Sequence, residues 1–593
     1  MIVPVKHLRR LTSLGPTHRA VGARRFRLVG LYAFGLAISS GLWLDSARSQ
    51  GAIDLTKAKA RYGELVAEEL NRQIVPGVSV AWIIDGKLVH AAGYGRSDSR
   101  SAVAASVDTI YRAGSISKLL NAVAAMQLVE QGKLDLDAPI QKALPEFRIV
   151  MPFEPATPIT IRQLLCHRSG MVREAPRGGY LDPSHPSVAE TLASVSSCAL
   201  VNRPNTKTRY SNVGPTIVGR ALEVQSGLSF AEYQQKYLLD PLGMQSSAWT
   251  MNDSLRPRLA RGLMRVARGN GKFEFEVAPE FELGTIPAGN LYTTATDLAR
   301  FAAFVMGSGS ISDPSSRILN RASLEKMCTP QLTNEPIGFG LGFSIGRYRD
   351  HKTVQHMGAV YGFTTSIVVL PDLKIGVVLL SNADIATAPV RRLSDAALDL
   401  LLQAVRGETI TPVPVPLELP TESLSEMAGE YESAGYWARL EVADHKLRGE
   451  FSSQPIELMP VAASRFLADG RIMLRSPFDF QRSPERRVIG FSAAGQRFER
   501  VDSAKVPQAP ESWRQFAGKY GPSFIPLVIS IRHGHLYALA ENEYDYRLTP
   551  VDRVTFRLPP GMYEDEQIVF QTDLDGKVIG VLMANMYLPR RAD

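Results

Sequence analysis

The chain has 593 residues, of which 45% are hydrophobic and 21% charged, as in an ordinary globular protein of about two to four domains. This composition excludes a mainly disordered chain, a collagen and a polytopic membrane protein. The formal net charge is +8, but residues 1–49 carry +7 of it and leave +1 for the rest. We therefore predict no nucleic-acid partner, because residues 50–593 have no basic field to attract a polyanion.

Residues 1–49 have the pattern of a secretory signal peptide. Leu28–Leu44 is an uncharged, largely apolar run of seventeen residues, with three arginines before it and small residues after it. We predict cleavage after Ser49. The alternative is an uncleaved membrane anchor, since seventeen residues lie at the short end of what spans a bilayer. Either way residues 50–593 lie beyond the membrane, periplasmic or secreted, and are tethered to it only if the signal is retained.

Residues 52–405 mix strand and helix signals. Val78–Ala91 predicts a hairpin around Asp85-Gly86, and Thr364–Leu370 with Ile375–Leu380 predicts a second strand pair. Capping-box spacing marks two helices between these pairs, at Thr160–Gln163 and at Thr294–Asp297. We therefore predict an α+β domain in which helices flank an antiparallel sheet.

The sequence changes character after residue 405. A proline-rich linker is predicted at 406–424, and the β-like segments that follow repeat themselves. Ala428–Tyr431 returns as Ala517–Tyr520, 89 residues later, and Val488–Gly490 returns as Val578–Gly580, 90 residues later. We predict two copies of one small antiparallel β-barrel module, at 425–503 and at 511–593.

The three cysteines, Cys166, Cys198 and Cys328, are too few for a disulfide framework in a chain of this length. One bridge is possible beyond the membrane, and one thiol must then remain. Their spacing to histidines does not match a metal site. We predict buried thiols, no metal and no cofactor.

Ser115-x-x-Lys118 opens a stretch that is apolar or small at nearly every position as far as Glu130. A helix of this kind is buried on all sides, and positions i and i+3 share a face, so the two side chains meet inside the core. Burial lowers the pKa of a lysine, and a neutral amine beside a hydroxyl is a base beside a nucleophile. Ser323 and Lys326 have the same spacing among charged residues and predict a solvated helix face.

Two further motifs follow in order. Tyr210-x-Asn212 lies 95 residues after Ser115, and His356-x-Gly358 lies about 145 residues further on. Each motif arises by chance in a long chain. Their order and separation, together with Ser-x-x-Lys, form a constellation.

This constellation resembles that of the serine β-lactamase and penicillin-binding protein superfamily, specifically its class C branch. The likeness covers about residues 60–400. The supporting stretches are Tyr111–Gly114, Leu164–Met171, Pro241–Met244 and Pro287–Tyr292. The two repeats look, more loosely, like the paired β-barrel domains that follow this domain in D-aminopeptidases.

The resemblance implies roles for the motif residues. Ser115 would be the acylated nucleophile, with Lys118 and Tyr210 sharing general-base and general-acid duty; which of the two takes the first proton stays open. Asn212 would hydrogen-bond the substrate carbonyl or the Lys118 amine. The backbone N–H groups of Ser115 and Ala359 would form the oxyanion hole.

The third motif departs from the superfamily's commonest Lys-Thr-Gly or Lys-Ser-Gly pattern. Gly358 would let the substrate lie against an edge strand, where a side chain would block it. His356, the expected substrate-binding residue, is mostly neutral at pH 7 when its pKa is about 6.5, and Met357 offers no hydroxyl. Poor recognition of a C-terminal carboxylate follows, which favours the His-x-Gly branch of D-aminopeptidases and esterases. His167 is expected to be a structural residue near the site.

The resemblance therefore implies a secreted serine hydrolase that forms an acyl-enzyme with small esters or with D-amino-acid amides and peptides. One alternative is a penicillin-recognising protein, such as a weak β-lactamase or a D-Ala carboxypeptidase. The other is a non-catalytic receptor for peptides or cell-wall fragments, against which the costly buried Lys118 argues. The expected partner is a small molecule or short peptide, and the oligomeric state stays open.

Overall fold

A computed structural model of the protein places most of the chain, and its described residues are 53–269, 271–307, 318–408 and 415–592. The predicted signal peptide and residues 409–414 of the predicted linker lie outside this part. Within the described ranges, no helix is long and apolar enough to cross a membrane. The helices are α1 Thr56–Asn71, α2 Ser117–Glu130, α3 Ile161–Leu165, α4 Val188–Val195, α5 Val213–Ser226, α6 Phe230–Gln234, α7 Asp240–Leu242, α8 Ile286–Gly289, α9 Ala295–Val305, α10 Arg321–Met327, α11 Thr387–Arg406 and α12 Thr421–Ser425.

The N-terminal region, residues 53–406, is built on the predicted antiparallel sheet. The strands of this region are β1 Gly77–Ile84, β2 Lys87–Gly95, β3 Tyr111–Arg112, β4 Leu263–Gly269, β5 Lys272–Val277, β6 Tyr292–Thr293, β7 Gly338–Phe339, β8 Ser344–Tyr348, β9 His351–Val360, β10 Phe363–Leu370 and β11 Ile375–Ser381. Seven of them form the main sheet in the order β2-β1-β11-β10-β9-β8-β7. The first hairpin of the region therefore pairs with its last strand, and of the three motifs only His356-x-Gly358 lies on this sheet, in β9.

Helices cover both faces of this sheet, so its central strands are buried along their whole length. Alternate side chains of β1 point to opposite faces. Val80 and Trp82 pack in the cluster formed with α1 and α11, whereas Ala81 and Ile83 belong to the core on the α9 side. The near-continuous apolar sequence of β1, β10 and β11 follows from this burial on two sides.

Local signals of the sequence appear where they were predicted. Asp85 and Gly86 form the β1–β2 turn with φ values of 50° and 74°. Thr160 accepts a hydrogen bond from the backbone of Gln163 in a complete capping box at the start of α3. Thr294 caps α9 by accepting a hydrogen bond from the backbone of Asp297, without the reciprocal bond of a capping box.

The first repeat closes into an eight-stranded antiparallel barrel, with β12 paired to β19. Stacked aromatic rings fill its interior, such as Phe491 and Phe498 with ring centroids 4.6 Å apart. Its strands are β12 Gly429–Glu432, β13 Trp437–Ala443, β14 Lys446–Phe451, β15 Gln454–Pro460, β16 Arg465–Gly470, β17 Ser476–Arg482, β18 Val488–Ala493 and β19 Gln496–Arg500.

The second repeat differs from the closed barrel expected, because it consists of a four-stranded sheet, β20–β23, and a five-stranded sheet, β24–β28. The strand that is continuous in the first repeat, β15, corresponds here to two short strands separated by Leu548. A single bridge between Tyr520 and Arg590 joins the outer edges of the two sheets. The strands are β20 Gly518–Tyr520, β21 Leu527–Arg532, β22 His535–Ala540, β23 Tyr544–Arg547, β24 Thr549–Pro550, β25 Thr555–Arg557, β26 Gln567–Thr572, β27 Val578–Met583 and β28 Met586–Pro589.

The repeats pack against the N-terminal region, and one cluster of buried apolar side chains runs through all three. The described end of the predicted linker also lies against the first barrel, where the backbone N–H of Leu417 donates to the Pro460 carbonyl at 2.8 Å.

Candidate active site

Ser115 lies in a 3₁₀ turn, Gly114–Ile116, that leads directly into α2. The turn begins at Gly114, whose φ of +54° is a conformation that favours glycine. Ser117 Oγ donates to the Gly114 carbonyl at 2.7 Å and accepts a hydrogen bond from the backbone of Leu291 at 3.0 Å. The first turn of α2 is thus fixed and buried, whereas Ser115 itself is only partly buried.

Three of the predicted residues meet at the Ser115 hydroxyl. Lys118 Nζ lies 2.9 Å from Ser115 Oγ, and Tyr210 OH lies 2.8 Å from the same atom. Lys118 Nζ also donates to the carbonyl of Ala288 at 2.7 Å and lies 5.0 Å from the centre of the Tyr210 ring. The i, i+3 spacing at the start of α2 and the loop before α5 therefore place an amine and a phenol within hydrogen-bond distance of one hydroxyl.

Burial separates the proton affinities of the two groups beside Ser115. It lowers the pKa of Lys118 to about 7, while Glu174 acts to raise that pKa and Arg173 to lower it. It raises the pKa of Tyr210 to about 12, although the hydrogen bond to Ser115 lowers it. At neutral pH a substantial fraction of the amine is uncharged, and the phenol holds its proton.

His167 holds Tyr210 in place, which agrees with the structural role expected for it. The two rings lie 4.4 Å apart between centroids, with an interplanar angle of 32°. His167 Nδ1 accepts a hydrogen bond from the backbone of Ser211 at 3.3 Å, and burial lowers the pKa of His167 well below its ordinary value. A neutral imidazole therefore packs against the phenol and fixes the loop before α5.

Gly358 brings β9 into direct contact with the turn that carries Ser115. A Cβ atom at Gly358 would lie 2.1 Å from the Ala113 carbonyl oxygen and 3.0 Å from Ser115 N, so only glycine fits. A Cβ at Gly114 would lie 2.8 Å from Ala359 N. The backbone N–H groups of Ser115 and Ala359, the predicted oxyanion-hole donors, therefore lie at one junction.

The expected edge strand is only partly an edge. β9 pairs with β10 from Val354 to Val360, but β8 reaches along it only as far as Gln355. Residues 356–360 are therefore unpaired on the β8 side within the described sheet, and Gly358 lies in that open stretch.

His356 is buried, and its ring lies 6.2 Å from that of Tyr210 between centroids. Its Nδ1 atom lies 2.5 Å from the Met357 carbonyl, which can only accept, so Nδ1 carries the proton. Burial first, and then the charge of Lys118, lower the pKa of His356 to about 4. The ring is therefore neutral at pH 7, and Nε2 is a buried acceptor for which the described residues supply no donor.

The Asn212 side chain donates to Glu174 and not to the Lys118 amine, which was one of its two expected partners. Its Nδ2 atom donates to Glu174 Oε1, and its backbone N–H donates to the Arg173 carbonyl at 2.8 Å. Lys118 donates instead to Ser115 and to Ala288. The Asn212 side chain thus connects the active site to a buried acidic group rather than to the Lys118 amine.

Sequence reasoning missed Arg173 and Glu174. Beside Tyr210 and Asn212, the side chain of Glu174 is completely buried and that of Arg173 is 14% exposed. The available signal was weak: they follow the Leu164–Met171 stretch that carried part of the resemblance, but an adjacent Arg-Glu pair is most often a solvated one.

The second Ser-x-x-Lys motif and the three cysteines lie outside the candidate active site. Ser323 and Lys326 lie on α10, where Arg321 and Glu325 form an exposed ion pair 2.7 Å long, as predicted for a solvated helix. The three cysteines are buried free thiols. Among the described residues, no group of three His, Cys, Asp or Glu side chains is arranged to hold a metal ion.

With this geometry in hand, comparison with known proteins identifies the family. The family described as "Beta-lactamase" matches residues 63–402, more than half of the chain. The chain belongs to the beta-lactamase family of serine hydrolases. The match contains the Ser115, Tyr210 and His356 motifs and ends before the two repeats.

Individual relatives extend this result. Penicillin-binding protein 4 of Amycolatopsis lactamdurans is 29% identical over 61% of this chain and 94% of its own length. The octameric penicillin-binding protein homologue from Pyrococcus abyssi superposes with a TM-score of 0.54 at 23% identity, over 82% of this chain and 99% of its own. A D-amino acid amidase from Ochrobactrum anthropi SV3 gives a TM-score of 0.50 at 21% identity, over 59% and 100%. The last two are likenesses of fold.

Proposed function

We propose that the protein forms a covalent acyl-enzyme at Ser115 and hydrolyses small esters or D-amino-acid amides. The observation that carries this proposal is the position of Ser115 Oγ, within hydrogen-bond distance of Lys118 Nζ and of Tyr210 OH at once. A nucleophile that touches two proton-transferring groups of well-separated pKa is the arrangement that acyl transfer requires.

The two pKa values suggest a division of labour. Neutral Lys118 accepts the proton of Ser115 Oγ as this oxygen attacks the substrate carbonyl carbon. Tyr210, which keeps its proton at neutral pH, donates it to the leaving oxygen or nitrogen and is reprotonated from Lys118. Water then attacks the acyl-enzyme with the same groups in reverse, and the acid product and free Ser115 are restored.

The junction of the Ser115 turn with β9 would stabilise the transition state. Attack places negative charge on the carbonyl oxygen, and the N–H groups of Ser115 and Ala359 are fixed donors beside the nucleophile. The closeness that Gly114 and Gly358 permit supports this role, because neither backbone segment could approach the other with a side chain in between.

His356 supports the choice of substrate. A family member that selects a C-terminal carboxylate needs a fixed cation there, whereas a neutral His356 favours a substrate without a carboxylate at that position. An ester or an amide of a D-amino acid meets that condition, and a D-amino acid amidase has the same fold.

A second candidate is a penicillin-recognising protein that acylates with β-lactams and turns over slowly. Its support is the relative named penicillin-binding protein, at 29% identity over almost all of that protein's length. The neutral His356 weighs against efficient β-lactam turnover, because a β-lactam carries a carboxylate.

We also propose that the mature protein is exported, on the evidence of the basic and apolar segment within residues 1–49. Export with cleavage would give a mature N-terminus at Gln50. N-terminal sequencing of the protein from the producing cells would contradict this if the chain began at Met1 in the cytoplasmic fraction.

The deciding experiment is intact-mass analysis after treatment with a fluorophosphonate probe, with the modified residue located by peptide mapping. The native protein is expected to gain one adduct at Ser115. The S115A variant should gain none and should lose several orders of magnitude of hydrolytic rate, about 10³–10⁶-fold for loss of a serine nucleophile. S323A is the matched control and should behave as the native protein does.

A substrate panel then separates the candidates. The proposed function predicts that p-nitrophenyl esters and D-aminoacyl anilides are hydrolysed with much higher kcat/KM than a chromogenic cephalosporin. Preference for the cephalosporin would favour the second candidate, and an unlabelled Ser115 with no turnover of any substrate would contradict both.

A further inference from the structure

Arg173 connects the active site with the second repeat. Its guanidinium carbon lies 5.6 Å from the centre of the Tyr210 ring and 5.4 Å from that of the Tyr563 ring. Its Nη2 atom is 3.6 Å from Glu541 Oε2, and its Nε atom is 3.7 Å from Glu174 Oε1. One largely buried cation therefore contacts the proposed catalytic phenol and two residues of a different module.

The second repeat holds these groups firmly. Glu541 lies in the turn between β22 and β23 and is buried, and the Tyr563 hydroxyl donates to its Oε1 atom. Glu566 Oε1 accepts a hydrogen bond from the backbone of Arg173 at 3.1 Å and lies 3.4 Å from Nη1 of Arg209, the residue before Tyr210. The repeat therefore holds Arg173, which packs beside the phenol, and Arg209, which precedes it in the chain.

We propose that the second repeat sets how readily the Lys118–Tyr210 pair binds a proton, through the ion pair between its Glu541 and Arg173. This inference rests on the proposed function, because it concerns the pair that would activate Ser115. Arg173 is a positioning residue in this scheme: it acts on Lys118 and Tyr210 and does not touch the reacting atoms.

The charges around Arg173 give the proposal its direction. Burial acts to lower the pKa of Arg173, but Glu541, first among its neighbours, holds that pKa well above the ordinary value. Arg173 in turn acts to lower the pKa values of Lys118 and of Tyr210. The titratable groups that face Arg173 from all packed elements are Lys118, His167, Glu174, Tyr210, Glu541, Glu543, Tyr563 and Glu566.

Two substitutions should therefore move the proton affinity of the base in opposite directions. E541Q removes one of the carboxylates that pair with Arg173, so its cation is less compensated and lowers the pKa of Lys118 further. R173Q removes the cation, which raises it. A base acts in its deprotonated form, so the acidic limb of kcat/KM should move to lower pH in E541Q and to higher pH in R173Q. Each shift should be about half to one pH unit, given one charge acting across an aromatic ring.

The test is the pH dependence of kcat/KM for a p-nitrophenyl ester, together with the pH dependence of fluorophosphonate labelling at Ser115, in the full-length protein. E564Q is the matched control, since it makes the same chemical change in the same repeat and removes an exposed ion pair with Lys207 at 3.2 Å. Its limb should coincide with the native one. R173K, which keeps the cation, should restore the native limb or come close to it.

Opposite shifts of E541Q and R173Q support the inference, because simple loosening of the interface would lower the rate without separating the two limbs. Shifts in one common direction, or shifts no larger than that of E564Q, would overturn it. If native Ser115 is labelled but the acidic limb of kcat/KM does not move in E541Q and R173Q, the proposed function stands and only this inference is rejected. Failure to label native Ser115 rejects the proposed function itself.

Discussion

The two C-terminal repeats share a strand order, yet they differ at the turn that faces the N-terminal region. In the first repeat a two-residue turn, Ser452-Ser453, joins β14 to β15, and both residues have positive φ. In the second, three residues, Glu541-Asn542-Glu543, join β22 to β23. The change of the sequence repeat from 89 to 90 residues is located here. The turn of the second repeat is thus one residue longer than that of the first, and its Glu541 contacts Arg173 beside the candidate active site.

The contacts of these turns show what the change achieves. The Ser453 carbonyl accepts a hydrogen bond from Arg265 at 3.1 Å, and Asn542 Oδ1 accepts one from the backbone of Ala267 at 3.2 Å. Both turns therefore dock on β4. Only the second adds a carboxylate that lies beside Arg173.

A second pair of equivalent segments differs in the same way. In the first repeat, buried Arg471 donates to the Asp384 carbonyl and fixes the segment between β11 and α11, and Met473 packs in the core. Ninety residues later, Tyr563 and Glu566 hold the segments that lead to Tyr210. The first copy supports the segment that follows the sheet and the second supports the segments around Tyr210, so two copies of one fold make different contacts.

The largest difference between the two repeats is expected when the equivalent residues Tyr563 and Met473 are each replaced by alanine. Each truncation should destabilise the protein, by about 2–5 kcal/mol, because each side chain is buried. Y563A should also lower kcat/KM by about a hundredfold in the folded protein, since displaced Arg173 no longer packs against Tyr210. M473A should leave kcat/KM of the folded fraction unchanged. Urea unfolding and esterase kinetics on the same samples measure both.

The outcome that would break the comparison is equal loss of kcat/KM in Y563A and M473A at matched folded fractions. The two repeats would then be equivalent supports, and the contact of Tyr563 with Arg173 would have no special role.

A smaller effect is expected from E543Q, at the inserted residue. Burial raises the pKa of Glu543 to about 7, with Glu541 adding to the rise and Arg173 opposing it. The folded state therefore holds this proton more tightly than the unfolded chain, and native stability falls as pH rises from about 4.5 to about 7. Removing the charge should raise the free energy of unfolding by about 1–2 kcal/mol at pH 8 and change it little at pH 5.

Thermal or urea unfolding of native protein and E543Q at both pH values tests this. The exposed substitution E564Q is again the control, with no expected pH-dependent gain. A stabilisation that is equal at the two pH values would show that the carboxyl charge is not its cause.

The sequence was sufficient for the parts of the site that depend on local geometry. Ser115 and Lys118 share a face because they are three residues apart on a helix, and the apolar residues around them require that helix to be buried. Gly358 was predictable as a point of close approach because only glycine lacks a Cβ atom. Its neighbour His356 was predictable as neutral from its residue type, since burial can only lower its pKa further.

The sequence was insufficient where a residue acquires its role from a distant module. Arg173 and Glu541 look like ordinary surface charges in their own segments, and they become a buried pair only when the second repeat docks. The split of that repeat into two sheets was also unreadable, because the interruption at Leu548 leaves the alternation of apolar residues intact. Register and docking are set by long-range packing that a single sequence does not display.

The smallest effect is expected from cutting the linker between the N-terminal region and the two repeats. Val415 and Leu417 are exposed, at 84% and 44%, and the adjacent Glu418 and Glu422 are exposed too. A glutamyl endopeptidase should therefore cut first within residues 407–424. The nicked protein should co-elute as one species and keep its esterase activity, since docking at Arg173 and Arg209 does not need the linker.

This result would sharpen the comparison, because it separates covalent tethering from docking of the repeats. Gel filtration and activity of the nicked protein measure the two properties on one sample. Activity that falls in step with cleavage at 407–424 would mean that the linker, and not the buried contacts of the second repeat, holds Tyr210 in position. Early cleavage inside 425–500 would mean that the first barrel is not a compact support. Retained activity in a co-eluting complex would show that the buried contacts of the two repeats, among them those of Glu541, Tyr563 and Glu566, hold the fragments together without the linker.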